Sequence, residues 1–318
     1  MTDDSIDIVD LANAVADEHD AVVLLYSGSI DNAGFGRLLS ELQPSEMRPY
    51  RPNVVLILTT NGGDANAAYR IARTLQRTFE KFLIYVPAYC KSAGSLIALG
   101  ASELVMEHVS ELGPLDVQLL QQDEIGQRRS GLVVRTAFEG LATETFDVFE
   151  HIMMNIKLKS AGVVSFETAS RIASSISASV MSPVYAQISP DALGNDLRDL
   201  HVATQYGVRL AHYGGNVNSG TVEHMVSGYP SHDFIIDFQE AEQLFETVSL
   251  PNENLENLTN AIGPLVYSEH DPHVVGRLDE TKGEDGDHDD NDGSTEKSGG
   301  APVAARRRKK GPSDSEGK

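Results

Sequence analysis

Residues 53–68 read NVVLILTTNGGDANAA, and one unit further on residues 82–95 read FLIYVPAYCKSAGS. Each begins as an unbroken apolar run without polar alternation, the pattern of a strand covered on both faces. Each ends in small residues that open a helix. After NGGD, Ala67, Ala68, Ile71, Ala72 and Leu75 recur at helical spacing. After CKSAGS comes the apolar helix SLIALGA. Working outward, AVVLLYSG (21–28) is another such run, with a helix candidate following at about 32–43, and SELVMEH (102–108) is a short fourth strand. Apolar strands alternating with helices predict an α/β core around a parallel sheet.

The rest of the chain has a different texture. SIDIVDLANAVA (5–16) spaces its apolar residues as a short amphipathic lead-in helix. From about Thr136 to Ala211 the pattern is mostly helical, with breaks expected near Pro183 and Pro190. HDFIID (232–237) reads as a late strand and FQEAEQLF (238–245) as a closing helix. There is no internal repeat. The domain organisation expected is a lead-in helix over 1–20, a main domain over 21–265 and a disordered charged tail over 266–318. The tail is clearest from Leu278, where LDETKGEDGDHDDNDG and then ARRRKKG carry almost no large apolar side chain. Such a segment has too little burial to offset its ordering entropy.

Composition narrows the function classes. The net charge of −22 disfavours nucleic-acid binding through the core domain. Cys90 is the only cysteine, so neither an internal disulfide nor a cysteine metal site can be built. No HExxH or paired HxH occurs, the Asp-rich block lacks the ligand spacing of an EF-hand, and no metal or cofactor is expected. No apolar run reaches the ~18–20 residues that cross a bilayer. The acidic MTDDSIDIVD start does not resemble a secretory signal, so a cytoplasmic location is expected.

The two turns carry the chemistry. Adjacent glycines in NGGD permit a backbone path closed to other residues and leave N–H groups exposed. Asp64 can cap the helix behind them. NGGD is neither a Walker loop nor a dinucleotide fingerprint. Taken alone, either turn is an ordinary strand-to-helix connection. Neighbouring parallel strands, however, bring their carboxyl ends together. A serine at one turn and glycine amides at the other then supply a hydroxyl nucleophile and oxyanion donors, the needs of acyl transfer.

At these residues the chain resembles a known family. NGGD after a strand, then KSAGSLIALGA, then ELVMEHVSELGPLDVQ, with SPVYAQISPDALG (182–194) and YPSHDFIIDFQEAEQLFETV (229–248), is similar to the Clp-protease/crotonase-like superfamily. The likeness is greatest to the serine dehydrogenase proteinase family, relatives of signal peptide peptidase A and the NfeD-type proteases. It runs in consistent order over about residues 20–250. It implies a Clp/crotonase-like fold of repeated ββα/βα units with a helical C-terminal part, and a serine endopeptidase acting on peptides or unfolded protein segments as a homo-oligomer.

The same resemblance assigns roles. Ser92 is the nucleophile, Ala93 and Gly63 give the oxyanion N–H groups with Gly62 a further candidate, and Ser95 packs inside its helix. The general base stays open. Clp proteases use a His about 25 residues after the serine, but GPLDV occupies that place here, with Asp116 nearest. His232 in the matched C-terminal segment, with Asp116, would complete a Ser–His–Asp set. Signal peptide peptidase A and NfeD-type proteases use a lysine, for which Lys157 or Lys159 in the predicted helix 145–160 are candidates. Lys91 reads as a surface lysine. Two alternatives stand beside the peptidase: an inactive assembly protein on the same fold, and a crotonase-type acyl-CoA enzyme.

Overall fold

The computed structural model describes residues 7–43, 50–115 and 131–280. The described chain opens with helix α1 (Ile8–His19), capped by Asp7, and strand β1 (Ala21–Ser27). Then come α2 (Asn32–Glu41), β2 (Asn53–Thr59), α3 (Ala65–Thr78), β3 (Lys81–Val86), the short β4 (Tyr89–Cys90), α4 (Ala93–Ala98), β5 (Glu103–Met106) and β6 (Glu111–Leu112). A helical stretch follows: α5 (Gly131–Lys159), α6 (Phe166–Tyr185), α7 (Pro190–Gly214), α8 (Thr221–Ser227) and α9 (Phe238–Leu244). The described chain closes with β7 (Val248–Ser249), α10 (Glu253–Ile262), α11 (Pro264–Tyr267) and β8 (Val274–Arg277).

The main sheet has the order β7-β5-β3-β2-β1-β8. Its first five strands run parallel, in the register Leu24↔Leu56 and Leu56↔Ile84, and β8 closes the edge antiparallel to β1. The unbroken apolar runs have a direct cause. Val22, Leu24 and Tyr26 face a core shared with α2, α3, α4 and α7, while Val23 and Leu25 face a second core under α1 and α10. β2 divides in the same way: Val54, Leu56 and Leu58 on one side, Val55 and Ile57 on the other. Side chains alternate across a strand, so a sheet buried on both faces needs apolar residues at every position. The predicted α/β fold with a parallel sheet is what the chain adopts.

Two expectations change in detail. The segment 232–237 forms no strand of its own; it contributes one antiparallel bridge, Ile236 to Leu112. The break expected near Pro183 and Pro190 is present at residues 186–189, after Pro183 in the last turn of α6 and before Pro190, which starts α7, where its missing N–H costs nothing. The second difference is the larger. Residues 266–280, assigned to a charged tail, belong to the folded unit. Val266 is buried, β8 joins the sheet, and Arg277 and Asp279 form a buried bidentate pair with Nη2···Oδ2 2.6 Å and Nε···Oδ1 3.0 Å. The same Asp279 carboxylate accepts the Val23 N–H of β1 at 2.8 Å. An edge strand of four residues, followed by charges, has too little apolar signal to be seen in sequence.

Candidate active site

The site lies where β2 and the β3–β4 segment deliver their carboxyl ends. The two turns are tied to each other by backbone. Thr60 N–H donates to the Tyr89 carbonyl and Lys91 N–H donates to the Thr60 carbonyl, both at 3.0 Å. On its other side the glycine turn pairs with residue 30: Ile30 N–H donates to Gly62 O at 2.9 Å, and Asp64 N–H donates to Ile30 O at 2.8 Å. Asp64 then caps α3 through the Ala67 N–H at 2.7 Å, as the motif predicts.

Both glycines are required. Gly63 has φ of +147°, and a Cβ there would sit 2.1 Å from the Ile30 carbonyl oxygen. Gly62 has φ of +118°, and its Cβ would come within 2.9 Å of the Ser92 Cβ and 3.4 Å of its Oγ. The second measurement also places the glycine turn directly against the serine. Expecting NGGD and KSAGS to face one another on the basis of strand adjacency is therefore matched by the geometry.

Ser92 stands between β4 and α4 with φ 52° and ψ −111°. A non-glycine residue in that region carries a strain of about 1–3 kcal/mol, held only by well-determined surroundings. Gly94 N–H to Lys91 O at 2.8 Å and Leu96 N–H to Ser92 O at 3.1 Å hold it on either side. A strained serine at a sharp strand-to-helix turn is an arrangement that presents a hydroxyl for attack. Ser92 is only 4 % exposed, so access to it is narrow.

The neighbouring N–H groups differ in use. Gly62 N–H donates to the Thr60 hydroxyl at 3.0 Å, inside its own turn. Among the described residues, the Gly63 and Ala93 N–H groups have no acceptor and leave two donors beside Ser92. Ser95 packs as expected. It is fully buried, its hydroxyl faces the carbonyls of Cys90 at 2.9 Å and Gly113 at 2.7 Å, and it accepts the Gly113 N–H at 3.1 Å. Cys90 is no rival nucleophile, because complete burial pushes its thiol far above the ordinary range and keeps it protonated.

The candidate bases are dispersed. Asp116 lies outside the described residues. His232 is half-buried in the segment leading to Ile236, which pairs with Leu112 of β6. β6 in turn pairs with β4, immediately before Ser92, so His232 belongs to a segment bordering the site. Lys157 and Lys159 lie at the far end of α5. The Lys157 ammonium donates to the Val164 carbonyl at 2.7 Å, closing the α5–α6 connection, and Lys159 lines an open groove with His151, Ile152, Asn155 and Ile156. Lys91 is not a free surface residue but pairs with Glu111 at 2.7 Å. Among the described residues no three His, Cys, Asp or Glu side chains are placed to hold a metal ion.

Comparison with known proteins agrees with the motif resemblance. Residues 42–127 match the family model described as ClpP-like SDH-type serine proteinase. That interval contains both turns. Two uncharacterised proteins of Methanocaldococcus jannaschii match: MJ1495 is 38 % identical over 80 residues, 25 % of this chain and 27 % of that protein. MJ0137 is 42 % identical over 66 residues, 21 % of this chain and 23 % of that protein. The chain thus spans about a quarter of the length of these curated relatives. Solved structures of a 1510-N membrane-bound stomatin-specific protease align with TM-scores of 0.44 and 0.43 at 16 % and 17 % identity. Those alignments cover 76 % of this chain and 84 % and 79 % of the other, and the second structure is a complex with a substrate peptide.

Proposed function

We propose that the protein is an ATP-independent serine endopeptidase that cleaves peptides or unfolded protein segments through an acyl-enzyme on Ser92. The observation carrying this reading is the strained Ser92 set against the Gly62–Gly63 turn, with the Gly63 and Ala93 N–H groups left without acceptors. The family match across both turns supports it.

In the reaction, Ser92 Oγ attacks the carbonyl carbon of a peptide bond and gives its proton to a base. The negative charge that develops on the carbonyl oxygen falls to the Gly63 and Ala93 N–H groups. Loss of one such donor typically lowers kcat about 10²–10³-fold. Collapse expels the amine, which takes the proton, and leaves an ester on Ser92. Water then hydrolyses the ester with the same base assisting. His232 is the base favoured here, since its segment borders β6 next to the serine, whereas Lys157 is engaged at the α5–α6 connection. Asp116 remains the candidate to orient it. A homo-oligomeric assembly and a cytoplasmic location belong to the same proposal. Among the described residues no helix is long and apolar enough to cross a membrane.

Fluorophosphonate labelling and peptide hydrolysis test the assignment. The wild-type chain should be labelled at Ser92, and Ser92→Ala should lose both labelling and hydrolysis. Labelling that persists in Ser92→Ala overturns the nucleophile. His232→Gln, compared with Lys157→Met and Lys159→Met, identifies the base. The base is the residue whose replacement abolishes hydrolysis while far-UV circular dichroism shows the fold kept.

A further inference from the structure

The segment between α10 and β8 lies across the carboxyl ends of the strands that build the site. Thr59 at the end of β2 donates its hydroxyl to the Val266 carbonyl, and Ser27 at the end of β1 donates to the Ser268 carbonyl at 2.9 Å. Glu269 follows directly, and it reaches both turns at once. Its carboxylate accepts the side-chain N–H of Asn61, one residue before Gly62, at 2.6 Å. Its backbone N–H donates to the phenolic oxygen of Tyr89, three residues before Ser92, at 2.8 Å.

We propose that Glu269 is a positioning residue for the acyl-transfer site, clamping the glycine turn through Asn61 and the serine turn through Tyr89. This inference rests on the peptidase reading of Ser92. Its physical basis is that both turns hold conformations which relax unless their surroundings over-determine them. Ser92 sits at positive φ, and Gly62 and Gly63 follow a path open only to glycine. The Thr60–Cys90 bridge links the turns from below through backbone alone. Glu269 supplies a second link, and two links fix a relative orientation that one leaves free to pivot. A misplacement of about 1 Å between nucleophile and donors can cost on the order of 10² in rate. A carboxylate accepting from a neutral amide also makes a stronger bond than a neutral acceptor would.

The test compares Glu269→Ala, Glu269→Gln and Tyr89→Phe in the full chain. Glu269→Ala removes the acceptor for Asn61, while Glu269→Gln retains a carbonyl oxygen there. The rate of fluorophosphonate labelling should fall about 10-fold in Glu269→Ala, with kcat reduced and KM little changed. Glu269→Gln should restore most of it. Tyr89→Phe, which deletes the other arm, should show a comparable loss. Hydrogen exchange at the hydrogen-bonded turn amides of Gly62, Asp64, Lys91 and Gly94 gives a readout independent of activity. It should accelerate in Glu269→Ala while exchange in the β1–β3 core stays as in the wild type. Unchanged exchange at those amides overturns the clamp, whether or not the wild type reacts with the probe. Wild-type labelling that is absent while exchange responds as expected overturns the peptidase reading and leaves the clamp standing. A uniform rise in exchange across all amides, with Glu269→Gln no better than alanine, assigns Glu269 a merely structural role and also overturns the proposal.

Discussion

The sheet with its two turns and the α5–α6 hairpin use apolar side chains in opposite ways. In β1, β2 and β3 nearly every residue is buried, each serving one of two cores. On the hairpin, Leu158 is 73 % exposed, Val163 88 % and Phe166 65 %. α6 buries only the face formed by Ala169, Ala173, Ser177 and Met181, against α5, and Ile172, Ile176, Val180 and Val184 stay exposed beside it. A strained serine needs surroundings that over-determine its conformation, and Ser92 has them in its burial and in the hydrogen bonds on either side of it. The lysines of α5 lie on this more exposed hairpin, and Lys157 donates to the Val164 carbonyl within it.

The contrast predicts a descending series of effects. The greatest is functional: Ser92→Ala should lower labelling by about 10³-fold or more while changing unfolding free energy by less than about 1 kcal/mol, because alanine keeps the Cβ and the same backbone strain. Chemical denaturation beside the labelling assay checks both halves. Asp279→Ala comes next. It removes two charge-assisted bonds from Arg277 and leaves the Val23 N–H without its carboxylate acceptor, so at about 1.5–3 kcal/mol per charge-assisted bond a loss of about 3–5 kcal/mol is expected in a urea titration. A loss below about 1 kcal/mol would remove residues 266–280 from the cooperative core. Leu56→Ala, fully buried in the central strand, should lose about 2–5 kcal/mol. Leu158→Ala on the exposed hairpin should stay within about 0.5 kcal/mol. Equal losses at Leu56 and Leu158 would break the comparison and place the hairpin in a packed interface.

Much of the fold was legible because burial on two faces leaves an unmistakable apolar run, as in NVVLILTT and FLIYVPAY. The glycine turn was legible for a similar reason, since positions at high positive φ tolerate little else. Other parts left no such mark. Asn61, Tyr89 and Glu269 act through single hydrogen bonds between segments as far as 208 residues apart, and no local spacing announces a partner at that separation. The edge strand β8 is too short for periodicity, and the acidic run after it drew the expected tail boundary forward to 266. Gly62 illustrates a finer limit. Its residue type points to an exposed amide, yet the Thr60 hydroxyl two residues back takes that proton.

Local physics acting on the chain determines the alternation of strand and helix, the caps at Asp31 and Asp64, and the need for glycine at 62 and 63. Each depends on side-chain hydrophobicity, φ range or a hydrogen bond within a few residues. Tertiary structure alone decides that the glycine turn touches Ser92, that among the described residues Gly63 and Ala93 rather than Gly62 keep open donors, that residues 266–269 cross the strand ends, and that β8 pairs with the edge of β1. Those outcomes depend on which distant segments meet, and the free energy of meeting is shared across the whole core rather than written at any one position.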